Sequence, residues 1–116
     1  MKVSEAIERS ALIYPSDEEK APLYAWLSEL EGKIALELLG AEPSPITESD
    51  GERELYAPSA YSEIYPLYLM MKRELSCGDS ERYAFFLSVF TAAYGDFAAY
   101  VSRTRDKGKA TYIKTV

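Results

Sequence analysis

The segment from Ser80 to Thr104 narrows the possible folds more than any other part of the sequence. It contains no proline, and its apolar residues recur at helical spacing throughout. Its main stripe consists of Tyr83, Phe86, Leu87, Phe90, Tyr94, Phe97 and Val101. Phe85, Val89 and Ala92 widen the apolar surface sideways. A helix with this pattern either lies at the centre of a bundle or has a second face for a partner. In either case we expect Phe90, in the middle of the stripe, to be a core residue.

Three further segments show helical spacing, so the sequence predicts an all-α fold, a small four-helix domain. A short first helix is expected near Ser4 to Leu12, followed by longer helices near 17–39, 60–77 and 80–104. Length and composition fit one globular domain without a disulfide, because Cys77 is the only cysteine.

Several residues mark where these helices start and stop. The segment from Ser16 to Glu19 reads as a capping box at the start of the second helix. Gly40 and Gly78 follow the last periodic residue of two helices and are predicted to be left-handed caps. Proline removes a backbone donor, so Pro22 and Pro66 indicate either a kink or a new helix start.

A long acidic loop and a basic C-terminal tail flank the third and fourth helices. Residues 41–58 combine prolines, a glycine and five acids. The sequence therefore divides into a helical domain, 1–104, and a flexible or extended basic tail, 105–116, in which Gly108 is expected to break any helix. Opposite charges on loop and tail either attract between copies or are simply solvated. The candidate subunit contacts are Glu48, Asp50, Glu52, Glu54, Arg103, Arg105, Lys107 and Lys109.

The chain lacks the residues that most enzymes use. It contains no histidine, which removes the commonest general base and the commonest transition-metal ligand. Its glycines are scattered singly and form no phosphate loop. We therefore expect no enzyme activity, no catalytic residue, no cofactor and no metal. The net charge of -6 disfavours tight binding to nucleic acid. The sequence start is not typical of a signal peptide, and no unbroken apolar run predicts a membrane span.

Motifs along the chain, taken in order, resemble those of one family. The segment from Trp26 to Ile34 reads WLSELEGKI, and Glu54 to Tyr65 reads ELYAPSAYSEIY. The segment from Phe90 to Phe97 reads FTAAYGDF, and it is followed by Tyr100 and Arg103-Thr104. In this order and spacing, the motifs resemble the head–tail connector (adaptor, head-completion) proteins of tailed phages and prophages. The resemblance covers nearly all of residues 3–104.

The resemblance implies a structural virion protein at the head–tail junction, assembled in the cytoplasm of the host bacterium. Its subunits would form a homo-oligomeric, twelvefold ring below the portal protein. That ring extends the channel through which DNA passes without sequence-specific binding, and it provides a platform for a tail-side completion protein. No membrane partner is implied. The alternative is a small helical regulatory or protein–protein interaction module without catalysis. An enzyme using carboxylates alone is a third class, and the missing histidine disfavours it.

Overall fold

The computed structural model describes the backbone of residues 1–13 and 20–115, and the side chains of residues 1–10 and 20–104. Within this part the chain forms four α-helices: α1 (Val3–Ile13), α2 (Ala21–Lys33), α3 (Ile64–Cys77) and α4 (Ser80–Thr115). Short 3-10 turns cover Glu48–Asp50 and Ser59–Tyr61. The predicted all-α fold, with a short first helix and three longer ones, is confirmed.

Both prolines that the sequence left open lie in the first turn of a helix. Pro22 is in the first turn of α2, and Pro66 is the third residue of α3. Backbone N–H groups in the first turn have no intrahelical acceptor, so proline costs little there. Pro22 and Pro66 therefore mark helix starts. The predicted capping box at Ser16 lies outside the described residues.

A π segment, Ile34–Leu39, continues α2 and was not predicted from the sequence. Ile34 and Ala35 are buried in it, whereas Leu36 is 61% exposed. Gly40 ends the segment with φ 61°, and the backbone N–H of Ala41 bonds to the carbonyl of Ala35 at 2.8 Å. The left-handed cap predicted at Gly40 is confirmed.

The core is formed around α3, which contacts α1, α2 and α4. The buried apolar cluster consists of Val3, Ala6, Ile7, Leu23, Leu27, Leu30, Ile34, Ile46, Leu55, Ala57, Ile64, Tyr65, Leu69, Phe97 and Val101. Helix α4 packs mainly on α3 and lies at the edge of the bundle. Phe90, predicted to be a core residue, is only half-buried and packs against the core cluster from its edge. The fully buried phenylalanine of α4 in the described part is Phe97, at 1% exposure.

The segment from 41 to 58 is a long loop, as predicted, but it is bonded closely to the rest of the chain. Its apolar residues Ile46, Leu55 and Ala57 are buried. Its backbone pairs with the start of the chain. The N–H of Val3 donates to the carbonyl of Arg53 at 3.0 Å, and the N–H of Leu55 donates to the carbonyl of Met1 at 2.9 Å. These contacts hold the loop against α1.

Helix α4 continues through Gly108 to Thr115, so the predicted helix break at Gly108 is wrong. A single glycine in a helix interior costs only about 1 kcal/mol, which its helix-forming neighbours offset. The described side chains end at Thr104, so the role of the basic tail stays a prediction.

The turn between α3 and α4 has the chemistry that the sequence predicted. Gly78 has φ 80°, and the Asp79 side chain caps α4 by accepting a hydrogen bond from the Arg82 N–H at 3.0 Å. The Arg82 guanidinium also contacts the buried carboxylate of Glu74 at 3.2 Å. These contacts fix the reversal of the chain and the start of α4.

The backbone at Gly78 gives the first testable prediction. A Cβ at this position would meet nothing within 4 Å, so Gly78→Ala introduces only the strain of a positive φ. We expect it to lower the free energy of unfolding by about 1 kcal/mol. Gly32→Ala is the matched control, since its Cβ would lie 3.6 Å from the Pro43 Cβ, an ordinary contact within a helix. The control should instead gain up to about 1 kcal/mol. Denaturant unfolding measures both, and equal effects would contradict the prediction.

Candidate interaction surface

The side of α4 turned away from α3 carries exposed apolar residues that the described part of the chain does not cover. We call it the outer face of α4. It consists of Glu81, Phe85, Ser88, Val89, Ala92, Asp96, Ala99 and Arg103, all of them exposed. Phe85 is 63% exposed, and Val89 is 36% exposed. A phenylalanine left this open on a helix indicates a surface for a partner, especially beside other apolar residues.

Helix α4 is also apolar enough, by length and composition alone, to meet the requirement for a membrane span. An 18-residue window within Ser80–Thr104 has a mean hydropathy of 1.4, and only 11% of that window is buried. Scattered polar residues such as Asp96 keep every apolar run short, but they do not lower the mean hydropathy of this window enough to exclude it as a candidate. The exposed Asp96 within this segment disfavours a lipid neighbour.

The opposite side of α4 carries an aromatic ladder that packs within the chain. The ring of Tyr61 stacks on Tyr100 at 4.8 Å and lies 5.8 Å from Phe97. The ring of Phe90 lies 5.2 Å from Tyr68 and 5.6 Å from Tyr94. These tyrosines fix α4 on α3 and on the 3-10 turn before it.

Burial also changes the acidity of these phenols. The pKa of Tyr68 is raised to about 12, chiefly by burial and then by the neighbouring carboxylate of Glu29. Burial raises the pKa of Tyr94 as well, with a smaller contribution from Glu37. Both hydroxyls therefore stay protonated at neutral pH and act as packing groups.

The acidic interface candidates in the loop are largely engaged within the chain. Glu52 pairs with the Lys2 ammonium at 2.8 Å, and Glu54 contacts the Met1 amino group at 3.3 Å. Asp50 accepts hydrogen bonds from the Thr47 N–H at 2.7 Å and from its hydroxyl at 3.1 Å. The bond to Lys2 lowers the pKa of Glu52, and the bond to the Thr47 backbone lowers that of Asp50.

The remaining candidates lie on exposed positions or beyond the described side chains. Glu48 is exposed on a 3-10 turn. Arg103 is exposed at the C-terminal end of the outer face of α4. Arg105, Lys107 and Lys109 lie on the helical backbone of α4, and their side chains are outside the described part. The predicted attraction between the two groups therefore stays a prediction.

A buried carboxylate, Glu31, is the residue that sequence reasoning missed. It is 2% exposed, and its Oε1 accepts a hydrogen bond from the Tyr65 hydroxyl at 2.8 Å. Its Oε2 accepts one from the Tyr56 backbone N–H at 2.7 Å, and the Tyr65 oxygen accepts one from the Ala57 N–H at 2.9 Å. This Glu31 junction ties α2 and α3 to the end of the loop. The spacing along the helix could have identified Glu31 as buried. It lies four residues after Leu27 and three before Ile34, on the same helix face, and both of these residues are buried.

The Glu31 junction is structural in its chemistry. Burial raises the pKa of Glu31, while the hydrogen bonds from Tyr56 and Tyr65 oppose that shift. Each carboxylate oxygen accepts a hydrogen bond from a donor of the protein, and the group faces the interior. Within the described part of the chain, no three histidine, cysteine or acidic residues are arranged to hold a metal ion. The outer face of α4 is therefore the better candidate for a functional surface.

No protein-family model, no curated protein and no solved structure matches this chain. No residue role is therefore carried over from a relative. Function has to be inferred from the surfaces of the chain and from its motifs.

Proposed function

We propose that this chain is a head–tail connector subunit of a tailed phage or prophage. It forms a ring below the portal, extends the DNA channel and offers a platform to the next tail-side protein. The observation that carries the proposal is the outer face of α4. Only 11% of an 18-residue apolar window within this helix is buried, so the helix is incompletely packed in the single chain. Such a helix suits a subunit that completes its packing in an assembly.

The placement of the motif residues supports the same proposal. Leu55, Ala57 and Tyr65, from the segment ELYAPSAYSEIY, are buried and connect the loop to α3. Phe97, from FTAAYGDF, is buried beside Tyr61. The residues that resemble the connector family therefore set the packing of the helices. A resemblance of this kind concerns architecture, as expected for a protein that acts by its shape.

Charge is consistent with a conduit for DNA. The net charge of -6 repels the DNA backbone, so the polymer slides through a channel without adhering to its wall. In the ring, basic residues after Thr104 meet acidic residues of the neighbouring subunit. Because Glu52 and Glu54 already pair with Lys2 and the amino group of Met1, exposed Glu48 is the better acidic partner.

Electron microscopy with the portal present tests this proposal. Full-length protein is expected to decorate the portal as rings, and deletion of Lys107 to Val116 is expected to reduce the decorated fraction. Among the side chains of α4 that the structure describes, Phe97 and Val101 are buried, and both precede the deletion, which leaves the described core intact. High salt should reduce decoration by the full-length protein in the same way, because it screens exposed charges.

A variant that keeps the helix length serves as the matched control. Lys107→Gln combined with Lys109→Gln removes two charges without shortening the chain, and it should behave like the deletion. If full-length protein never decorates the portal, the connector proposal fails. If all variants decorate equally at every salt concentration, ring formation stands and the charge-pairing mechanism fails.

A further inference from the structure

The outer face of α4 has a symmetric arrangement about Ala92. Seven of its eight members, at positions 81, 85, 88, 92, 96, 99 and 103, are separated by four, three and four residues on either side of Ala92, and Val89 is the one member outside this pattern. This alternation of three and four keeps them on one side of the helix. All of them are exposed. The face therefore presents the same spacing when it is read from either end.

The residue types on the two halves of this face are complementary. If a second copy is related by a twofold axis through Ala92, so that the two helices run antiparallel, Glu81 lies opposite Arg103 of the other copy. The same axis sets the large ring of Phe85 opposite Ala99. Opposite charges and large-against-small side chains are what an antiparallel helix pair requires.

The remaining positions complete the match. Ser88 falls opposite Asp96, where a hydroxyl donor meets a carboxylate acceptor. Ala92 falls opposite itself, where a small side chain lets the two helix backbones approach closely. None of these seven positions then meets a like charge.

We propose that the outer face of α4 packs against the same face of a second copy of this chain. The two α4 helices run antiparallel, with Ala92 at the twofold axis, and this dimer is the form of the free protein. The dimer does not depend on the proposed function, but it covers the same face, so it has to dissociate before that face can pack in a ring. The dimer interface is isologous, so each contact occurs twice.

The dimensions of the face suit a specific dimer. From Glu81 to Arg103 the helix rises about 33 Å. A specific interface needs about 1,000 Å² of buried surface in total, so the contact has to extend along this whole length. Phe85, Val89 and the alanines lie between Glu81 and Arg103 at the two ends, and Asp96 is the one charged group among them. Apart from Asp96, this is the usual arrangement of an apolar interface core inside a polar rim.

A second copy fits the face better than a lipid bilayer does. Glu81, Asp96 and Arg103 are exposed on the same side as Phe85 and Val89. Hydrocarbon offers these charges no partner, and Asp96 lies within the apolar segment. In the antiparallel dimer, each of the three polar groups faces a complementary group.

Site-specific cross-linking tests both the contact and its direction. All variants carry Cys77→Ser, since the thiol of Cys77 is exposed. Ala92→Cys protein, treated with a short bifunctional maleimide, is expected to give a covalent dimer in high yield. Ala84→Cys is the matched control on the same helix and is also exposed. In the antiparallel pair the two copies of residue 84 lie about 24 Å apart along the axis, so the control should stay monomeric on a denaturing gel.

Charge reversal supplies a second, independent measurement. Glu81→Arg and Arg103→Glu should each raise the dissociation constant of the dimer about ten-fold at low salt, since each creates two like-charge contacts. The double variant should restore the wild-type value, as measured by sedimentation equilibrium, with helical content checked by circular dichroism.

Four outcomes would overturn the proposal. The first is a wild-type protein that is monomeric at every concentration. The second is equal cross-linking of Ala84→Cys and Ala92→Cys, which indicates a parallel or unspecific contact. The third is a double variant no better than either single one. The fourth is a monomer that binds phosphatidylcholine vesicles, which would assign the face to a membrane.

Discussion

Replacement of Phe97 with alanine is expected to lower the free energy of unfolding by about 3–5 kcal/mol. Phe97 is 1% exposed and, among the described side chains of α4, is one of the two that are buried in the core, the other being Val101. The substitution leaves a cavity beside the ring of Tyr61, which lies 5.8 Å away. The rigid contact between α3 and α4 prevents this cavity from collapsing fully. Denaturant unfolding at neutral pH and one fixed protein concentration measures the loss.

Two further variants, at less buried positions, provide a scale for the loss of stability in Phe97→Ala. Phe90→Ala, at a half-buried position, should lose about 1–3 kcal/mol, because less apolar area leaves water there. Leu36→Ala should lose less than about 1 kcal/mol, because that side chain is 61% exposed. A loss for Phe97→Ala no larger than that for Leu36→Ala would show that α4 does not pack on the core as described.

Glu31→Ala is expected to cost a similar amount, about 3–5 kcal/mol. The substitution leaves the Tyr56 N–H and the Tyr65 hydroxyl without their acceptors, at about 1–3 kcal/mol each. Glu29→Ala is the matched control on the same helix. Glu29 is exposed and bonds to the Tyr68 hydroxyl at 3.2 Å and the Lys72 ammonium at 3.3 Å, so its removal should cost about 1 kcal/mol or less.

The pH dependence of a gentler variant, Glu31→Gln, checks the same junction. Burial raises the pKa of Glu31 in the folded protein above its ordinary value of 4.5. The carboxyl therefore contributes most to stability below that value, and its contribution falls as the pH rises through the folded-state pKa. Glu31→Gln lacks this titration. Its deficit relative to wild type should be larger at pH 4 than at pH 7, and a deficit that grows towards pH 7 would contradict the assigned direction.

The helices and their caps could be predicted because their signals are local. Gly40 and Gly78 both adopt positive φ, and Asp79 caps α4, as their positions next to apolar periods indicate. The same logic failed for Gly108, where the sequence predicted a helix end and the helix continues. A single glycine is a weak stop signal when nothing else favours a different conformation.

The position of α4 within the bundle could not be predicted from its apolarity. Periodicity identifies which residues share a face, but it does not say how many neighbours cover that face. Because α3 lies at the centre of the bundle and α4 at its edge, Phe85 is exposed to solvent although Phe97 on the same helix is buried. The π segment after Lys33 likewise has no pattern of its own in the sequence.

Long-range pairings account for what was missed at the candidate surface. The charges of Glu52 and Glu54 were evident in the sequence, but their partners, Lys2 and the Met1 amino group, lie about fifty residues away. Glu31 meets Tyr65 across 34 residues. Charge and spacing within a segment carry no information about such partners, since only the folded chain brings them together.

The Glu31 junction also bears on the order in which the chain folds. Helices α3 and α4 are joined by a short turn, so their contacts require little loop closure. The junction instead brings together residues 31, 56 and 65, and it forms only after a much longer loop has closed. Contacts of this kind tend to complete after the folding transition state. Loosening the junction should therefore chiefly speed unfolding, which makes a carboxylate buried between three segments a determinant of the lifetime of the native chain.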